Sequence, residues 1–297
     1  MIADVATSSF DESTIKGRSL WQDAWLRLKK NRAAVAAAII LSIIVVLVII
    51  GPWFSPYTIY DADWDRPLSP PSFDHGHIFG TENIGRDLFV RTMYGGQISL
   101  LVGIVATVVS LLIGVTYGAT AGYLGGRIDN AMMRLVDILY SIPFMFFVIL
   151  LMVVFGRYLV LIFIAIGAIN WLDMARIVRG QTLSLKHREF IEAAESAGVG
   201  TWQIIRRHII PNLLGVVVVY VTLTIPQVIL IESFLSFLGL GVQEPFTSWG
   251  ALVNEGAADM EYAPWSLIFP AGFLATTLFC FNFLGDGLRD ALDPKDR

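Results

Sequence analysis

Residues 33–50 read AAVAAAIILSIIVVLVII, a run in which Ser42 is the sole polar side chain. A hydrocarbon core takes about 20 apolar helical residues to cross, so a stretch of this length and purity has one natural solvent, the interior of a bilayer. The rest of the chain agrees. Of its 297 residues 55% are hydrophobic and only 15% charged, with a mean hydropathy of +0.65, outside the usual range of soluble proteins. A net charge of -4 and a pI near 5.6 argue against a nucleic-acid binder, which would concentrate basic residues. Cys280 is the only cysteine, which excludes a disulfide framework and a cysteine-built metal site.

Five further runs follow the first: Ile98–Gly126, Ile138–Gly156, Tyr158–Leu172, Leu213–Gln243 and Ala263–Gly285. None alternates in polarity as a barrel strand must, so they predict an all-α membrane protein with six transmembrane helices. Leu213–Gln243 is too long for one straight span and predicts a kink at Pro226 and a break near Gly239 and Gly241. The expected organisation is an N-terminal segment over 1–32 carrying an interfacial helix, a first span over 33–54 and an external loop over 55–97. A five-helix core over 98–285 and a tail over 286–297 complete it.

Charge sets the orientation. With the N-terminus in the cytoplasm, only Arg66, Arg86, Arg91 and Arg157 of the 21 Lys and Arg fall outside, which satisfies the positive-inside tendency and predicts both termini in the cytoplasm. A cleaved signal peptide is not expected, because a long polar leader precedes the first span and no small-residue cleavage site follows it. In SLWQDAWLRLKKNR, residues Leu20, Trp21, Ala24, Trp25 and Leu28 share one helical face, and Ser19 and Gln22 stand at capping-box spacing. This predicts a helix lying in the cytoplasmic headgroup layer. In the external loop, His75 and His77 lack a clear third ligand and read as solvated residues; no metal site is expected.

Gly114, Gly118 and Gly122 recur at four-residue spacing in the second span and predict close helix–helix approach. No lysine follows a glycine anywhere, so the phosphate-cradling P-loop cannot form and the chain is expected to bind no ATP in that way. Intramembrane ionisable groups are few. Asp137 stands three residues after Arg134 and Asp173 three before Arg176, which predicts local ion pairs. Glu232 has no such neighbour, and a structural and a pathway role both fit it; on the pathway reading it faces a partner chain or an outer vestibule, with Pro226 as hinge, and these two and Gln227 are the pathway candidates. A secondary transporter would carry its own coupling-ion sites, and an intramembrane enzyme would need paired catalytic groups in its spans.

The largest expected cytoplasmic loop, residues 189–212, reads EFIEAAESAGVGTWQIIRRHIIPN. Phe190–Ala197 predicts a short helix, Gly198 and Gly200 a sharp turn, and Thr201–Ile210 a second helix, with Pro211 ending the connection at the next span. Ala193, Ala194 and Ala197 offer a surface that another protein can approach closely, and Glu192 offers a charged contact. Glu192, Ala193, Ala194, Gly198 and Pro211 match the spacing of the EAA loop, so the chain resembles the permeases of binding-protein-dependent ABC importers. It departs from the general pattern at His208 and Ile210. The stretches GRSLWQDA at 17–24, FGTENIGRDL at 79–88, GYLGGRID at 122–129, SWGAL at 248–252 and FNFLGDGLRDALDP at 281–294 are similar to C-type permease subunits of oligopeptide importers, in the dipeptide/oligopeptide/nickel permease family. The resemblance implies a six-span subunit paired with a B-type permease, two cytoplasmic ATPases carrying ATP and Mg, and an external peptide-binding protein. It implies that 189–212, with Arg207 among its contacts, is a coupling helix. Related branches carry dipeptides, nickel chelates or glutathione.

Overall fold

The computed structural model describes residues 20–156 and 158–292, so Ser19 of the expected capping box lies outside the described residues, as do Arg157 and the last part of the expected tail. Helix α1 (Leu20–Lys30) and α2 (Arg32–Ile50) meet at Asn31. The Asn31 side chain accepts from the backbone N–H groups of Ala33 (3.1 Å) and Ala34 (3.2 Å), which satisfies two orphan donors of α2 and fixes the junction. On α2 the buried residues are Ala34, Ala37, Leu41, Ile44 and Val48. Their alternating spacing of three and four draws one seam along the helix, while Ile39, Ile40, Ile43, Val46 and Leu47 on the opposite side stay exposed, as suits a helix bathed in lipid.

After a 3-10 turn at Gly51–Phe54 and an irregular segment over 55–87 comes α3 (Leu88–Leu124), of 37 residues. It begins ten residues before the apolar run does. Asp87 accepts from the N–H of Val90 at 2.8 Å and starts the helix there, so the irregular segment expected to run to residue 97 ends at 87. The expected third span is broken: α4 (Gly126–Tyr140) and α5 (Phe144–Phe155) are separate helices bent by 76°. Pro143 pushes the residue before it out of helical geometry, which is the physical reason for the break. With 12 residues, α5 reaches only about 18 Å.

Helix α6 (Leu159–Leu185) carries the expected fourth run but continues through Asp173, Arg176 and Arg179. The short α7 (Glu189–Ser196) and α8 (Thr201–Ile204) follow, then a π turn at Ile205–Ile209 and α9 (Ile210–Phe237). Pro211 lies where the connection passes into the next span, as expected, but no break separates the two. Ile210 donates to Ile205 five residues back, and this wide turn lets the chain pass the missing N–H of Pro211, so Thr201–Phe237 runs on as one span. Helix α9 runs through Pro226 and stops at Leu238, where Gly239 takes φ +72. Helices α10 (Trp249–Ala258) and α11 (Trp265–Leu292) complete the fold, and α11 continues into the expected tail.

The molecule is an all-α, multi-pass membrane protein. Among the described residues four stretches are long and apolar enough to cross a bilayer, Arg32–Phe54, Leu88–Leu124, Thr201–Phe237 and Trp265–Leu292, and five if the bent α4–α5 pair is one span, against the six expected. Three cores hold the bundle: one between α2, α3 and α11 around Trp249, one between α3, α5, α6 and α9, and one under α7 around Ile191 and Ile205.

Candidate functional site: a helical knob, its mount and a distant charged clamp

Helix α7 is one residue displaced from the expected Phe190–Ala197 and is held from beneath. Ile191 is fully buried beside Ile204, Ile205, Ile209, Met174 and Val178, so one side chain roots the helix in the bundle. Its C-terminus is a Schellman motif: Gly198 donates to Glu195 at 2.9 Å and Val199 to Ala194 at 3.1 Å. The motif demands a left-handed residue, and Gly198 supplies it at φ +78. The side chains of Val199 and Ala194 close the motif against the core. Ala194 therefore belongs partly to the mount, whereas Glu192, Ala193 and Ala197 are exposed. Arg207 and Pro211 are also exposed, on the following turns. The Tyr123 hydroxyl donates to Glu195 at 2.7 Å and ties α7 to the end of α3.

That end of α3 is fixed against α6 by the glycine stripe. A β-carbon at Gly114 would lie 2.6 Å from Met174 Cβ, one at Gly122 2.8 Å from Thr182 Cβ, and one at Gly118 would collide with the carbonyl of Ala175. The close approach is thus between two helices of this one chain. The mount is completed by Arg179, which donates to both oxygens of Asp129 at 2.5 and 2.7 Å. The expected local pairs do not form as drawn. Asp137 accepts from Arg176 at 2.7 Å across two helices, in place of Arg134, because α4 and α6 lie side by side. Arg176 is thereby taken from Asp173.

The pathway candidates do not converge. Gln227 is exposed while Pro226 is buried, and Glu232 is 0% exposed, inside this chain rather than on a face turned to another permease or a vestibule. Its carboxyl group accepts from Ser236 at 2.7 Å, Ser99 at 3.0 Å and Ser233 at 3.5 Å. Ser99 Oγ in turn accepts the N–H of Trp249 at 3.2 Å. Glu232 is a buried knot joining α3, α9 and the start of α10, where Ser248 caps the helix at Ala251 N. Serines escaped the sequence search because only charged partners were sought.

At the end of the molecule opposite α7, the structure assembles a charged clamp that the sequence reading missed. Glu82 binds Arg86 and, at 2.9 Å, Arg91; Arg86 reaches Glu244 at 2.7 Å; Arg91 reaches Glu255 at 3.1 Å. The clamp joins the segment 55–87 to α3, α10 and the turn after α9. The Arg86 hydrogen bond holds Glu244 below its ordinary range. Burial pushes Glu255 up to about 7, with Arg91 opposing and Glu82 adding to the shift. His77 is no solvated loop residue: 2% exposed, it holds Asp87 at 2.8 Å and stacks on Tyr57 with centroids 4.3 Å apart, while His75 is exposed. The signal that could have found the clamp is the density of charge in FGTENIGRDL.

A multi-pass helical bundle with a rigidly mounted, exposed helix at one end is built as a transport subunit. The chain belongs to the family of binding-protein-dependent transport system inner membrane components, which it matches over residues 114–297. Residues 19–71 match the N-terminal TM domain of oligopeptide transport permease C. The chain is 61% identical to the oligopeptide transport system permease protein OppC of Haemophilus influenzae, over 97% of this chain and 92% of that protein. It is equally 61% identical to OppC of Escherichia coli K12, over 95% and 94%. A glutathione transport system permease protein, GsiD of Pectobacterium atrosepticum, is 39% identical over 94% and 92%.

Proposed function

We propose that this chain is the C-type permease subunit of an ATP-driven oligopeptide importer, with six spans and both termini in the cytoplasm. It pairs with a B-type permease to form the path, receives peptide from an external binding protein, and is driven by two cytoplasmic ATPases that carry the ATP and Mg. The observation that supports this most is the construction of α7: Ile191 and the Gly198 motif hold it rigidly, yet Glu192 and Ala193 are left free to meet a partner. A handle must transmit displacement, and a helix pinned to α3 through Tyr123 and Glu195 passes its motion into the spans.

The test is Glu192→Lys in the reconstituted complex. Charge reversal on an exposed docking surface should leave pairing with the second permease intact and lower peptide-stimulated ATP hydrolysis and uptake at least about tenfold. Normal recovery of ATPases together with wild-type uptake would overturn the coupling role.

A further inference from the structure

Beside α1, the surface between α2 and α11 is hollowed. A cavity of about 440 Å³ is lined by Trp25, Lys29, Ala38, Ser42, Ile43 and Leu284 among others. A second, of about 350 Å³, shares Ile43 and continues past Leu47, Phe269 and Phe273. Together they form one groove along α2. Its wall is mostly apolar: the Ser42 hydroxyl is turned back onto the Ala38 carbonyl at 2.7 Å, and the other polar lining residues, Lys29 and Thr276, belong one to each cavity. From Ala34 to Ile43 the first cavity follows α2 for about 14 Å, close to half of a hydrocarbon core of about 30 Å.

The mouth of the groove is charged. Lys29 lies 4.9 Å from the centre of the Trp25 ring at its rim, and Lys30 and Arg32 follow within three residues. Arg27, Lys30 and Asn31 line an adjoining hollow of about 390 Å³ with Asp290. Between Asp23 and Arg32 the segment holds four basic residues against one acid. Tryptophan and lysine at this depth belong to the headgroup layer, and the apolar furrow below them is one leaflet deep.

We propose that α1, α2 and α11 form a binding site for one anionic phospholipid of the cytoplasmic leaflet, resting on the orientation proposed above. The phosphate sits against Lys29 and Lys30, and one acyl chain fills the furrow from Ala38 to Ile43. Charge complementarity selects the occupant: a zwitterionic lipid brings the same phosphate but also a cation that the basic rim repels, so it gains less there than a lipid of net negative charge.

Native mass spectrometry of the delipidated complex of both permeases and both ATPases, titrated separately with phosphatidylglycerol and phosphatidylcholine, tests it without any transport measurement, so a failed coupling role would leave the result unaffected. One phosphatidylglycerol should be retained at least about fivefold more tightly than phosphatidylcholine. Lys29→Gln with Lys30→Gln should abolish that preference, and Ser42→Phe, on an exposed position, should fill the furrow and expel the lipid from a folded chain. Equal retention of both lipids, a preference that survives the paired glutamine variant, undiminished binding by Ser42→Phe, or binding by the isolated chain but not by the complex would each overturn the site.

Discussion

Glu232 shows how a single carboxyl group can be made safe inside an apolar bundle. It sits among hydroxyl donors from α3 and α9, so its lone pairs are satisfied without a cation. Glu232→Ala would strand the Ser99 and Ser236 hydroxyls, at about 1–3 kcal/mol for each buried group left without a partner, and should lower the Tm of the purified complex by several degrees. Glu232→Gln keeps an acceptor and should lower it far less. A cysteine at 232 in a Cys280-free background should stay unreactive to a membrane-impermeant thiol reagent, whether or not ATP is trapped; labelling from outside would return the residue to the pathway. Glu255 answers to pH instead. Its value is raised from an ordinary 4.5 to about 7 because burial penalises the charge, so the folded chain holds the proton more tightly than the unfolded one. The stabilisation from that proton is complete below pH 4.5 and is lost as pH rises through about 7. Wild type should therefore lose Tm relative to Glu255→Gln over this interval in thermal scans of the solubilised complex, and parallel profiles would contradict the assignment.

At the level of the helix, the glycine stripe and the α7 mount share one design, in which backbone contact replaces side-chain bulk. Gly118 touches the Ala175 carbonyl, so Gly118→Leu must part α3 from α6, and the mount of α7 with them. The expected result is a several-fold drop in folded, detergent-extractable chain, read by size-exclusion fluorescence; normal yield with slowed transport would relocate the stripe to the moving path. Much of this was legible in the sequence, because four-residue spacing of glycine and continuous apolar runs report directly on helix packing and solvent. The short knob was legible too, since Gly198 and the alanines before it are the ingredients of a Schellman ending. What escaped was whatever depends on distant neighbours. The exchange of Arg176 from Asp173 to Asp137 turns on α4 lying beside α6, whereas the break at Pro143 and the π turn before Pro211 are local proline effects whose outcome, a bend in one case and a continuous helix in the other, the proline alone does not dictate.

Across the whole molecule the two ends are built on opposite principles. The end bearing α7 is a socket of isoleucines with an exposed helix, and the other is a lattice of buried charges that closes the segment 55–87 over α3 and α10. The stretches that carry the family resemblance divide between them: GYLGGRID supplies Gly122, Tyr123 and Asp129 to the mount, while FGTENIGRDL and SWGAL supply Glu82 and Arg86 to the clamp, Asp87 to the cap of α3 beside it and Trp249 beneath it. Arg91 is the keystone of the clamp, since it is 1% exposed and contacts Glu82 and Glu255 at once. Arg91→Gln removes the cation and leaves Glu82 buried beside Arg86 alone, a loss of about 3–5 kcal/mol for a broken buried pair. Because among the described residues no ion pair joins the two ends, the damage should stay local. Hydrogen exchange on the assembled complex should rise in residues 57–87 and 249–258 and remain unchanged in 189–212. Equal loosening at both ends would mean that the clamp sets the geometry of the handle through α3, and the division of the molecule into two independent ends would fail.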